Sequence, residues 1–187
     1  KDEKSFDGLD VAVTGSSTEY KPTAAIDLSS TAKVTENYQL FLDQLDEFLM
    51  GLDGRPTFIG GNLKLIAKIR ACARRAGMYQ VTKNDFGQQI ESYGDIPLVD
   101  FGEKSGSNEP IVPILTSGDT GCTSLYAARI ALDGFHAVSP SGALPVKQWL
   151  PQFAEAGAVK KGEVEMIATA ALKATKAAGI MRKIKVQ

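Results

Sequence analysis

GEVEMIATAALKATKAAGIMRKIKV, residues 162–186, is rich in alanine, the strongest intrinsic helix former. Its polarity pattern points the other way. Ten of the twelve even positions from 164 to 186 are apolar, while the odd positions hold Glu163, Glu165, Thr169, Lys173, Thr175, Lys183 and Lys185. Wound as a helix, Glu163 and Glu165 would project about 200° apart, on nearly opposite sides. A two-residue period is the mark of a half-buried strand. The stretch therefore predicts one strand over 163–175, about twice the usual length and roughly 40 Å long. Such an element is a spar. Gly179 is read as a turn or bend after it.

The rest of the composition sets bounds. With 187 residues, 43% of them apolar, the chain can bury a core and is short enough for one domain. A net charge of −1 gives the whole molecule no strong pull toward nucleic acid or membrane. No apolar run approaches the ~20 residues that span a bilayer. The opening KDEKSFDGLD is charged, lacks the apolar centre of a signal peptide and has no initiator Met, so the chain reads as a piece of a longer product. Cys72 and Cys122 have no CxxC spacing, which fits a reduced, cytosolic chain whose thiols are structural or idle.

Working back from the C-terminus, the elements fall into order. Residues 1–33 are an extended Ser/Thr/Gly/Asp-rich lead-in with an apolar patch (Phe6, Leu9, Val11, Val13) and room for one helical turn. From 35 to 50 the residues Tyr38, Phe41, Leu42, Leu45, Phe48 and Leu49 form one stripe at helical spacing, with Thr35 as cap and Gly51 as stop. In RPTFIGGN (55–62), Thr57 to Ile59 suit a strand, Gly60 and Gly61 a turn, and Asn62 the cap of a second helix. That helix, 63–76, puts Leu65, Ile66, Ile69, Cys72, Ala73 and Ala76 on one face and ends at Gly77. YQVT, QQIESY, IPLVDF, EPIVPIL, SLYAARIAL and FHAVSP read as strands, with turns at KNDFGQ and LDGFH. Residues 102–122 form a polar, Gly/Ser-rich excursion that carries an apolar patch of Ile111, Val112, Ile114 and Leu115.

Catalytic chemistry is sparse. His136 sits in a strand pattern without a nucleophile to serve. GEKSGS (102–107) has a phosphate loop's letters in the wrong order, and the glycines of FIGGN suit geometry better than phosphate binding. Asp43, Asp46 and Glu47 lack a further ligand at metal spacing and read as surface. No catalytic, cofactor or metal site is assigned, and the chain reads as a non-enzyme. Charge is organised in blocks. Glu36 to Asp53 holds five acids and no base; Gly54 to Asn84 holds seven bases and no acid. Opposite blocks suit either self-association or mutual neutralisation of two helices within one subunit. The candidate subunit contacts are Lys64, Lys68, Arg74 and Arg75, Asp43 and Glu47, and Ile111, Val112, Ile114 and Leu115 in the excursion.

The leading FDGLDVAVTGSSTEY, the acidic helix, GRPTFIGGNLKLIAKIRACARRAG, the hairpin NDFGQQIESYGDIPLVDFGE, SLYAARIALDGFHAVSPSG and the closing stretch come in an order that resembles tailed-bacteriophage major capsid proteins. The likeness is to the C-terminal part of the fold named after the Hong Kong 97 phage, without its N-arm, extended loop and spine helix. The resemblance implies an α+β fold: an axial domain with a mixed sheet flanked by helices, plus the long C-terminal strand of a peripheral domain. Residues 1–34 would lead in from the peripheral domain, 35–150 would be the axial domain and 151–187 would return. It implies a structural subunit of an icosahedral head that forms pentamers and hexamers around viral double-stranded DNA. Its partners would be other copies and scaffolding, portal or decoration proteins, with no membrane, cofactor or small-molecule substrate. It would sit in the virion, and in the host cytoplasm during assembly. The tip of 102–122 would crowd the capsomer centre and become ordered there. Three alternatives remain: a bacterial nanocompartment shell of the same fold around protein cargo, a nucleic-acid-binding module using helix 63–76, and a phosphate-ligand enzyme built on FIGGN.

Overall fold

A computed structural model describes residues 7–78, 80–83, 87, 89–140, 142, 144–151 and 159–187. The lead-in holds a short helix α1 (Leu9–Val13) and two-residue strands β1 (Glu19–Tyr20) and β2 (Ile26–Asp27). Two long helices follow, α2 (Thr31–Met50) and α3 (Leu63–Arg75), on either side of β3 (Phe58–Gly61). Next come β4 (Gln80–Lys83), β5 (Gln89–Tyr93), β6 (Ile96–Asp100), β7 (Cys122–Ala128), β8 (Phe135–Val138), β9 (Val146–Trp149), β10 (Glu163–Met166) and β11 (Thr169–Leu172). A single 3-10 turn at Thr175–Ala177 leads into β12 (Ala178–Lys185).

The main sheet runs β1-β12-β7-β3-β6-β5-β4, with β2 also on β12. It is mixed: β12 is parallel to β1 and antiparallel to β7, and β3 is parallel to β6. Both long helices cover one face. Phe41, Leu45, Leu65, Ile69, Ile59, Leu125, Met181 and Ile184 are fully buried between them and the sheet. The opposite face is smaller, with Val13, Ala128, Ala178 and Ile180 packed by Leu9, Phe58, Tyr126, Phe135 and Leu172. Strand β7 serves both faces by alternation, Leu125 and Ala127 toward the helices, Tyr126 and Ala128 away. This is the α+β arrangement expected.

The helix boundaries follow side-chain chemistry. Asn62 caps α3 as expected: its Oδ1 accepts from the Leu65 amide at 3.1 Å, and Gly77 closes the helix at φ +70°. The start of α2 differs. Ser30 is its cap, with Oγ accepting from the Lys33 amide, while Thr35 lies a turn inside and donates to the Thr31 carbonyl. The apolar stripe begins at Val34, which is buried, so the helix must start before it. Gly60 and Gly61 are not a turn either. They pair with Val99 and Asp100 inside the sheet. A Cβ on Gly60 would lie 2.3 Å from the Phe101 ring, and one on Gly61 2.9 Å from Leu65. The glycines are there for close packing.

The closing stretch is extended, as its period predicts, but it is not one spar. Strand β10 pairs with β9 and β11 with β8, both antiparallel. The break at Ile167 faces the connection between β8 and β9, where the Ile167 amide donates to the Pro145 carbonyl. Pairing ends at Lys173 because β8 itself begins after the turn at Asp133 and Gly134. Gly179 is no bend: it lies buried inside β12, the longest strand. EPIVPIL is not a strand, since Pro110 and Pro113 carry no amide donor and only Glu103 bridges Pro110. SLYAARIAL leaves the sheet at Ala128 for a turn held by Arg129 and Asp133. The expected KNDFGQ turn falls partly outside the described residues, as does Phe6.

Candidate assembly surfaces

The charged faces of the two helices do not discharge each other through the contacts described. Lys68 donates to the Ser29 carbonyl at 2.8 Å, Lys64 to Gln187 Oε1 at 2.6 Å, and Arg75 to Thr35 Oγ1 at 3.1 Å. Arg70 pairs with Glu91. On α2, Glu47 accepts from the Tyr20 hydroxyl and Asp46 from the Tyr93 hydroxyl. The partners named for Lys64, Lys68 and Arg75 are neutral groups. The structure brings Asp43 and Arg75 to one groove of about 490 Å³, lined also by Tyr38, Leu42 and Tyr93. Lys64 lies elsewhere, beside a cleft of about 520 Å³ between α3 and the excursion. Arg74 occupies the last turn of α3.

The excursion is already held to the domain within one subunit. A hairpin from Glu103 to Pro110 is closed by the Lys104 amide on the Glu109 carbonyl and by the Lys104–Glu109 ion pair. The apolar patch then folds onto the domain. Asn62 Nδ2 donates to the Val112 carbonyl, Thr123 Oγ1 to that of Pro113, and the Leu115 amide to that of Cys122. Val112 is 5% exposed and Ile114 packs against the main core, leaving Ile111 and Leu115 about half exposed. The four side chains are therefore not one surface.

Sequence reasoning missed two features. The first is the ribbon of β9 and β10, where all eight residues are exposed. Directly opposed residues share a face. Val146 faces Met166 and Gln148 faces Val164 on one side; Lys147 faces Glu165 and Trp149 faces Glu163 on the other. The apolar side continues the even-position stripe that Leu172 carries into the domain. A two-stranded ribbon is marginal in water. The stripe was legible, but β9, with one Lys and one Gln in four residues, gave no strand signal.

The second is an ionic cluster on Arg182. Its Nε bonds Glu19 at 2.5 Å, and its Nη2 bonds Asp10 at 3.0 Å and Thr14 Oγ1 at 2.8 Å. Burial alone would raise the Glu19 carboxyl, but the Gly15 amide, Lys21 and Arg182 outweigh it and bring it from 4.5 down to about 2. Its stabilising contribution is then complete above pH 4.5 and is lost as pH falls toward 2. Glu19→Gln is expected to lower stability at pH 7 and to flatten the fall in stability between pH 5 and pH 2, as read by urea titration across that range.

Other groups remain quiet. Cys72 and Cys122 are free and buried, and burial pushes the Cys72 thiol up to about 11, which removes thiolate reactivity at neutral pH. His136 Nδ1 lies 3.3 Å from the Gly134 carbonyl. Among the described residues, no group of His, Cys, Asp and Glu could hold a metal ion. No described helix is long and apolar enough to cross a membrane.

No protein-family model matches this chain, and no curated protein matches it. Among solved structures, it is similar to a chain of the holo-SrpI encapsulin complex from Synechococcus elongatus, with a TM-score of 0.56 and 19% identity. The match covers 76% of this chain and 49% of that one, so this chain spans about half the length of its structural relative. At this identity the likeness is one of fold, and the fold is the Hong Kong 97 type.

Proposed function

We propose that this chain is a shell-forming subunit that associates with copies of itself into pentamers and hexamers of a closed icosahedral shell. The observation that supports it most is the shared fold over three-quarters of the chain with a protein whose complex is an encapsulin. In this reading residues 35–150 are the axial domain, and 1–34 and 151–187 are its connections to a peripheral part. The acidic side of α2 meets the basic side of α3 in the next copy, and the excursion tip lies near the capsomer centre. The structural likeness favours a nanocompartment around protein cargo; the phage-head reading, with packaged DNA and scaffolding, portal or decoration partners, rests on the sequence resemblance. A duplex-binding role for α3 has less support, because the structural likeness is to a shell protein.

Electron microscopy of the expressed chain tests the shell, and the ratio of nucleic acid to protein in purified particles separates the two contents. A chain that stays monomeric at all concentrations overturns the shell. Lys64→Glu with Arg75→Glu is expected to abolish particles while leaving the melting temperature within about 3 °C, since exposed charges contribute little to monomer stability. Normal particles from that variant would make those residues a solvated face.

A further inference from the structure

Strand β12 contains a strained point. Lys183 adopts φ +59°, a left-handed conformation that non-glycine residues seldom take. The pairing register with β7 shifts there, between Met181 and Ile184. Met181 and Ile184 both pack in the helix-side core although they are three residues apart, and only a bulge allows that. The bulge leaves Arg182 on the side of Ile180, toward α1 and β1. There the side chains of Asp10, Thr14 and Glu19, spread over the whole α1–β1 stretch, converge on one guanidinium. The Glu19 side chain is 4% exposed, and its second oxygen accepts from the Gly15 amide and Lys21. Asp10 also accepts from the Tyr126 hydroxyl on β7.

The β1 end of this stretch is held by pairing with β12, by the Ile180 amide on the Thr18 carbonyl and by Tyr20 on Phe48 and Glu47, but the α1 end has less. A five-residue helix and a two-residue strand have no stability of their own. Apart from the cluster, α1 is seated by Val13 and Leu9, in the same small core as Phe135 of β8 and Leu172 of β11. The base of the outer ribbon therefore rests on α1, and α1 rests on Arg182.

We propose that Arg182 is a latch: it locks residues 9–20, and through them the β8–β11 ribbon, onto the two-helix sheet as a unit that opens separately when the latch is broken. Strain at Lys183 is the structural cost of aiming the latch, as is usual where a bulge redirects a side chain. Partial burial of the pair limits screening by salt, so the latch is set more by side-chain contacts than by ionic strength. The inference does not depend on whether the chain builds a shell.

Hydrogen exchange read by mass spectrometry on the full chain tests it. Arg182→Met keeps the apolar stem and removes the charge; Glu19→Gln removes the partner's charge with little change of shape. In both, residues 9–20, 135–138 and 169–172 should exchange at least ~10-fold faster and open at a lower free energy than α2, α3 and β3, as a sub-global opening requires. Lys183→Gly, which relieves the strain and keeps the latch, should leave 9–20 as in the parent. No acceleration of 9–20 in Glu19→Gln, or one common opening free energy for every segment, would overturn the latch and make Arg182 an ordinary structural contact.

Discussion

Gly179→Val is expected to destabilise the chain by about 4 kcal/mol or more, enough to leave a domain of ordinary stability largely unfolded. Gly179 lies inside β12 with the α2 helix directly above it. A Cβ there would sit 2.8 Å from Leu52 Cδ2, 2.8 Å from Phe48 Cε2 and 3.0 Å from the Thr18 carbonyl oxygen. That carbonyl accepts the Ile180 amide, so it cannot withdraw without loss of a backbone bond. Phe48 and Leu52 are themselves buried in the main core, so displacing them disturbs its packing. Gly179→Ala should cost about half as much, because one methyl displaces less. Urea unfolding would show the series as falling midpoints. Pairing Gly179→Ala with Phe48→Leu should recover part of the loss, since the two sites share one space. A Gly179→Val protein as stable as the parent would mean that the helix does not press on this strand.

That contact shows where the sequence stops being legible. The stripe from Phe41 to Phe48 announces α2, and the side chain of Asn62 announces α3, because both signals lie within a few residues of their effect. The alternation over 164–172 announces extended chain. What it cannot announce is the partner. Gly179 looks like punctuation beside polar Lys176, yet its reason is a helix some 130 residues earlier in the chain. Gly60 and Gly61 mislead in the same way: a glycine pair before a helix suggests a turn, while the need is for room under Phe101 and Leu65. The Arg182 cluster is invisible for a related reason. Its charges are common surface types, and they become one network only when chain segments more than 160 residues apart meet. The candidate contacts on α2 and α3 were legible as blocks of charge, but which of them share a groove depended on the crossing of the helices.

The excursion carries the sharpest expected separation between folding and assembly. Replacing Ile111 and Leu115 with Ser should leave the melting temperature within about 3 °C, since both side chains are about half exposed and neither belongs to the buried core. In the shell reading the same pair should abolish particles, because an exposed apolar pair on a pinned loop is a contact surface when copies are brought together. Val112 should behave in the opposite way. It is 5% exposed, and its carbonyl accepts from the buried Asn62 side chain that also caps α3. Val112→Asp would bury a charge at that cap and should cost about 3 kcal/mol or more in the isolated subunit. Changing all four apolar residues at once would mix the two effects, since Ile114 also packs on the core. Thermal melts of the subunits and electron microscopy of the assembled material read folding and assembly independently. Particles that form normally from the Ile111→Ser, Leu115→Ser chain would remove the excursion from the contact surface. A stable Val112→Asp subunit would show that the loop lifts off the domain, with Asn62 capping α3 unaided.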